Sequence, residues 1–211
     1  MTDPINIFWF RRDLRFNDNR GLYEALKSGR RVLALFIFDT EILSKLPTDD
    51  SRVTFIFNRI HWLNEQLSPL GSRIDVRIGK PVEVFRALSA ELNIEKVFTN
   101  RDYEPYATGR DKQVAEELEK TGTRFESFKD QVLFEEDEIL KPDGRPYVVF
   151  TPYSKKWLEK LNASGVTQFD SESGLKNLVA LPGGEMPSLQ DIGFTEGRFS
   201  IPGSIISEDL I

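Results

Sequence analysis

The sequence predicts an α/β fold, a doubly wound five-stranded parallel sheet (Rossmann-like) followed by a C-terminal linker segment. Two observations predict it. Short continuous apolar runs rich in β-branched and aromatic residues recur over residues 1–130, as in strands buried on both faces. Between them lie segments whose apolar residues repeat at three- and four-residue steps or whose boundaries carry helix caps, and strands alternating with helices imply a parallel sheet covered on both sides.

In chain order, "INIFWF" (5–10) and "RVLALFIF" (31–38) are the first two strands. "NRGLYEALKSG" (19–29) is the helix between them, started by Asp18 or Asn19 and ended by Gly29. This is a βαβ unit, for which a right-handed crossover is expected. Over 50–68, Val53, Ile56, Ile60, Leu63 and Leu67 form one buried stripe, with Asp50 or Ser51 as cap. "RIDVRIG" (73–79) alternates and reads as a strand. Pro81 opens a helix that turns Val82, Phe85, Leu88 and Leu92 inward. "EKVFTN" (95–100) is a strand, Pro105 opens a polar helix ending near Gly122, and "RFESF" (124–128) is the fifth strand.

After residue 130 the rhythm breaks, and 131–162 reads as a hairpin and a helix completing the domain. "KPDGRPY" (141–147) supplies the hairpin turn, and Thr151 caps a helix begun by Pro152. From 163 to 211 Gly, Ser and Pro accumulate, in "LPGGEMPSL" and "RFSIPGSIISEDLI", as in a linker that lies on the first domain or leads beyond it.

Composition narrows the function. There is no cysteine and a single histidine, His61, so thiolate and histidine-built metal sites are excluded; His61 reads as a surface or half-buried residue. Neither glycine-rich phosphate cradle, G-x-G-x-x-G or G-x-x-x-x-G-K-[ST], is present. A net charge of −6 is a poor footprint for gripping nucleic acid. No stretch is apolar enough to cross a bilayer and no secretory leader is visible, so a cytoplasmic protein with no membrane partner is the default. An active site complete within these residues is not expected.

The stretch "FWFRRDLRFNDN" (8–19) turns abruptly from aromatic to charged. Ligands of open α/β sheets sit beyond the strands' carboxyl ends, and this loop leaves the first strand there. Its charges belong to a functional rim, or they pair with one another and with nearby carboxylates to shape the loop.

The constellation resembles one family, the DNA photolyases and cryptochromes, in their N-terminal α/β domain. The resemblance rests on "WFRRDLRFNDN" (9–19), "RVLALFIFD" (31–39), "DSRVTFI" (50–56), "NRDYEPYATGRDKQV" (100–114) and "YVVFTPYSKKW" (147–157), with "LPGGEMPSLQDIGF" (181–194) similar to the segment leading to the family's second domain. It implies an antenna chromophore at the strands' carboxyl edge. It also implies a helical domain holding FAD, expected beyond Ile211, and repair of pyrimidine dimers in damaged DNA by the whole protein, this part alone being inactive. For the antenna, Asp102 and Glu104 match acidic positions that bind a deazaflavin ring, and Arg52 matches a ring-contacting arginine. Arg110 is placed to help, Phe36 and Phe38 offer apolar walls, and Asp39 ends its strand near the rim. Capping of the helix at Pro105 is the alternative role for Asp102 and Glu104. The folate pattern expects an Asn-Glu pair where this chain has Tyr106 and Ala107, so a deazaflavin or flavin is favoured over folate. Lys155 and Lys156 match positions near the DNA-facing side, each able to meet one phosphate, or else they are a solvated helix face. Without the helical domain, an apolar patch involving the Trp9 loop, Trp157 or the tail is expected. The rival readings are a signalling cryptochrome domain and a stand-alone nucleotide-binding module of the universal-stress or electron-transfer-flavoprotein type; the latter needs a small-residue loop late in the chain, and only "LPGGEM" is there.

Overall fold

The computed structural model describes residues 3–181, 184 and 186–198. Five strands, β1 (Ile5–Phe10), β2 (Val32–Asp39), β3 (Asp75–Gly79), β4 (Ile94–Asn100) and β5 (Arg124–Phe128), pair in the order β3-β2-β1-β4-β5. Every pairing is parallel, with β1 central between β2 and β4. The helices are α1 (Arg20–Lys27), α2 (Thr40–Leu43), α3 (Ser51–Leu67), α4 (Pro81–Glu91), α5 (Pro105–Glu119) and α6 (Phe150–Ser164).

The sheet's two faces follow from the two-residue period of a strand. Phe8, Phe10, Ala34, Phe36 and Phe38 point to one side and pack with Leu22 and Leu26 of α1 and Ile60, Leu63 and Leu67 of α3. Ile7, Trp9, Leu33, Leu35 and Ile37 point to the other and meet Phe85 and Leu88 of α4 and Val114 and Leu118 of α5. All eight residues of β2 are buried. Each fully buried aliphatic or aromatic side chain stabilises the fold by about 1.5–3 kcal/mol relative to an exposed one, so the central strands anchor the domain. The chain leaves all of them at one edge.

Between the two possible caps, Asn19 caps α1, accepting the Leu22 N–H at 3.1 Å, and Asp50 caps α3 by accepting the Arg52 N–H. Gly29 follows α1 at φ +83°, where a residue with a Cβ is strained.

Three expectations are corrected. Helix α6 begins at Phe150 with Val149 as its cap residue and no side-chain cap, so Thr151 and Pro152 lie inside its first turn. The first-turn N–H groups of a helix have no partner within it, so a proline there loses nothing. The "KPDGRPY" turn closes with one antiparallel bridge, Leu140 to Pro146, and a Lys141 N–H to Arg145 carbonyl bond at 2.9 Å, rather than two extended arms. The Trp9 side chain is buried in the core, so its ring is no part of the expected apolar patch.

The segment after 163 lies partly on the domain. Residues 172–177 form a 3-10 turn against α1, Leu178 adds a parallel bridge to Val32, and Ile192 and Phe194 are buried in the α1–α3 core layer. Most of "RFSIPGSIISEDLI", and Pro182, Gly183 and Glu185, fall outside the described residues. Among the described residues no helix is long and apolar enough to cross a membrane.

Candidate functional site

At the strands' carboxyl edge the order β3-β2-β1-β4-β5 reverses direction between β1 and β4, the switch point where open sheets place ligands. Two adjoining clefts open there. The larger, of about 420 Å³, lies over the ends of β1 and β2 between the α2–α3 segment and α5. Its volume is within the range of small-molecule sites. The smaller, about 180 Å³, lies over the β1, β4 and β5 loops and shares Arg11, Arg12 and Asp102 with it. A hollow of about 770 Å³ beside α3 is roomier, but it lies away from the strand edge, and among the described residues it gathers only Arg73 and His61 as ionisable groups.

The larger cleft brings together Arg52, Asp102, Glu104, Arg110, Phe36, Phe38 and Asp39. Trp9, Ile42, Leu43 and Ile56 extend its apolar wall, and Tyr106 and Ala107 complete the α5 side. The Arg110 guanidinium lies 4.9 Å from the Trp9 ring centroid, and Arg11 lies over the same ring at 5.2 Å. Tyr106 donates its hydroxyl to Asp39 at 2.6 Å; burial first, then this bond to a carboxylate, raises the phenol above its ordinary value. Asp39 also accepts the Glu41 N–H, which starts α2.

The rim is cross-tied. Arg11 forms an ion pair with Asp111 at 2.6 Å and bonds the Asn100 carbonyl. Asn100 in turn donates to Asp13 at 2.5 Å and to Asn19 at 2.8 Å, joining the ends of β1 and β4 to the start of α1. Burial pushes the Asp13 carboxyl up, against the opposing pull of the bonds from the Arg11 N–H and Asn100. The loop-shaping role of these charges is therefore met in the structure.

Arg12 stands apart. Its side chain is 62% exposed, and it reaches Asp102 at 3.5 Å and Glu104 at 3.9 Å, too long for good hydrogen bonds. Asp102 is 11% exposed. One of its oxygens accepts the Glu104 N–H at 3.1 Å, and among the described residues the other pairs only with Arg12. A carboxylate oxygen so sheltered and so loosely paired is ready to accept an N–H from a ligand. Glu104 is the cap residue of α5, yet its side chain makes no cap bond, so the bond that turns the chain into α5 comes from Asp102. Arg52 is exposed at the opposite lip and held in a bidentate pair by Asp50 at 2.6 and 2.9 Å.

Lys155 and Lys156 are exposed on α6, far in sequence from this cleft, and Lys156 pairs with Glu159 at 3.0 Å. His61 is exposed and faces Glu65 at 3.6 Å. Among the described residues no group of three or more His, Cys, Asp or Glu is placed to hold a metal ion.

Trp9, Tyr106 and the α2 residues of the cleft have weak sequence signals. Trp9 reads simply as a core strand residue, and a four-residue helix is too short to show a period.

Comparisons with known proteins identify the family and agree with the fold. The family model "DNA photolyase" matches residues 6–172. The chain is 34% identical to a deoxyribodipyrimidine photo-lyase of a Synechococcus strain over 96% of its own length and 43% of that protein. It is similar in structure to an archaeal photolyase from Sulfolobus tokodaii, described with two FAD molecules (TM-score 0.63, 25% identity, 81% of this chain and 41% of that one). A cryptochrome from Synechocystis shares the fold (TM-score 0.70, 20% identity, 95% of this chain and 42% of that one). The chain thus spans less than half the length of each.

Proposed function

Since the chain belongs to the DNA photolyase family, we propose that it is that family's light-collecting α/β domain. Its cleft would hold a planar antenna chromophore, a deazaflavin or flavin rather than a folate. The observation that carries this reading is the single cleft that gathers a sheltered acceptor, Asp102, with aromatic walls from β1 and β2. Such a site suits a flat ring with an N–H edge.

When bound, the ring would supply absorption of near-ultraviolet or blue light. The chain's own residues do the rest. Asp102 accepts the ring's N–H, assisted by Glu104. Phe36, Phe38, Ile42 and Ile56 exclude water from its faces. Arg110, fixed over Trp9, and Arg52 set its edge and mouth. Tyr106, tied to Asp39, fills the position where a folate site would need an Asn-Glu pair. Dimer repair would require the remaining part found in the longer relatives, where the FAD-binding helical domain and most of the DNA grip belong; Lys155 and Lys156 would add phosphate contacts. Similarity to a cryptochrome keeps a signalling parent as a second reading.

Riboflavin and 5-deazariboflavin test the proposal. Titrated into the chain, either should gain an induced circular-dichroism band, and Asp102→Asn should weaken binding by about tenfold or more, the worth of one hydrogen bond to a charged group. Absence of binding by both rings would overturn it.

A further inference from the structure

On the far side of the first loop from the cleft, a cavity of about 490 Å³ opens between α1, the segment after β5 and the end of α6. It is lined by four cations, Arg15, Arg20, Lys129 and Lys160, and three carboxylates, Asp18, Asp130 and Glu138. Each carboxylate is already engaged, two of them with cations of the same cavity. Asp18 accepts the Phe169 N–H at 2.9 Å. Asp130 accepts the Arg20 backbone N–H at 3.0 Å and pairs with Arg15 at 2.8 Å. Glu138 holds Lys129, Lys160 and the Glu135 N–H.

The cation left over is Arg20. Among the described residues its guanidinium has no hydrogen bond and no ion pair, and its Nε is buried without a partner. It is nevertheless held in place, 5.4 Å from the Phe169 ring centroid and 6.0 Å from that of Phe128. A planar fork fixed by aromatic faces with its donors unused is pre-organised for an oxyanion that can accept two parallel bonds. Val132, Leu133 and Val166 border the same cavity with exposed apolar surface, which suits an organic body attached to that anion.

We propose that this cavity is a second binding site, in which Arg20 anchors a phosphate group carried on an organic molecule. Lys129 and Lys160 line the same cavity but are held by Glu138, over the Phe134 ring at 5.8 and 4.9 Å, which leaves Arg20 as the anchor. The site is independent of the cleft over β1 and β2, so it stands or falls separately from the antenna reading.

The test uses the full chain labelled with nitrogen-15 and three probes: inorganic phosphate, adenosine monophosphate and adenosine. Phosphate and the monophosphate should move the Arg20 Nε–H resonance downfield and shift the Phe128 and Phe169 amides; adenosine should not. Tighter binding of the monophosphate than of phosphate is the expected result, and equal binding of the two would overturn the proposal, since the organic body would then contribute nothing. Arg20→Gln should weaken binding, read from the two phenylalanine amides, by about tenfold or more, and Arg20→Lys by less, since it keeps the charge and loses the fork. No shift with phosphate or the monophosphate, or unchanged affinity in a folded Arg20→Gln, overturns the proposal.

Discussion

The rim at the carboxyl ends of the strands and the arm formed by residues 131–166 are both rich in charge and aromatics, yet they are built differently. At the rim, Asn100 and Arg11 tie β1, β4, α1 and α5 together through largely buried groups. In the arm, α6 has no buried residue. It is held mainly by the Phe134–Trp157 ring contact and by Glu138, while Val148 and Phe150 stand 86% and 77% exposed. A site that must hold a ring in fixed geometry needs partners whose own positions are set by the core. A surface that only has to meet another surface can leave apolar groups bare.

The largest expected effect sharpens the first half of that contrast. Trp9→Ala removes the indole from beneath the cleft and from the α4–α5 core layer together, and should cost about 3–5 kcal/mol in a urea unfolding measurement. A much smaller loss would mean that the rim does not rest on the core.

The arm should yield to acid first. Glu138 is lowered to about 2 from its ordinary 4.5, chiefly by the Glu135 N–H bond and then by Lys129. A carboxylate with a depressed folded pKa contributes fully above about pH 4.5 and loses that contribution as pH falls toward about 2. Hydrogen exchange in α6 should therefore quicken over this window before exchange in β1 does, and Glu138→Gln should remove the pH step. Simultaneous quickening of α6 and β1 would break the comparison.

Phe150→Ser should leave unfolding free energy within about 0.5 kcal/mol, because that residue stands 77% exposed. It should reduce concentration-dependent association in sedimentation, and unchanged association would show that the bare apolar run does not drive it. A comparably small effect is expected from Arg12→Ala, less than about 0.5 kcal/mol of stability for loose exposed ion pairs. The same change at Arg11, whose Nη1 donates to both oxygens of Asp111, should cost several times more.

Much of this was legible in the sequence, for reasons that differ by residue. The strands "INIFWF" and "RFESF" were readable because burial on both faces or a short alternating run leaves a local mark. Arg52, Asp102 and Phe38 were readable as candidates through the family resemblance, although what they bind rests on the proposal above. Thr151 was misjudged because a cap residue is chosen by backbone geometry at the helix start, and Val149 adopts it without any side-chain bond. Arg20 carried no signal at all, since it looks like one more surface arginine in the first turn of a helix.

The sequence by itself determined the order of strands and helices, the two-sided burial of the central strands and the edge at which charge would gather. Those follow from local periodicity and from the strict alternation of side chains along a strand. Only the tertiary structure decided which charges are spent on one another and which remain available. Asp111 meets Arg11 across 100 positions, and Arg20 finds Phe169 instead of a carboxylate, because such pairings depend on how the crossovers stack on the sheet and not on neighbours in the chain.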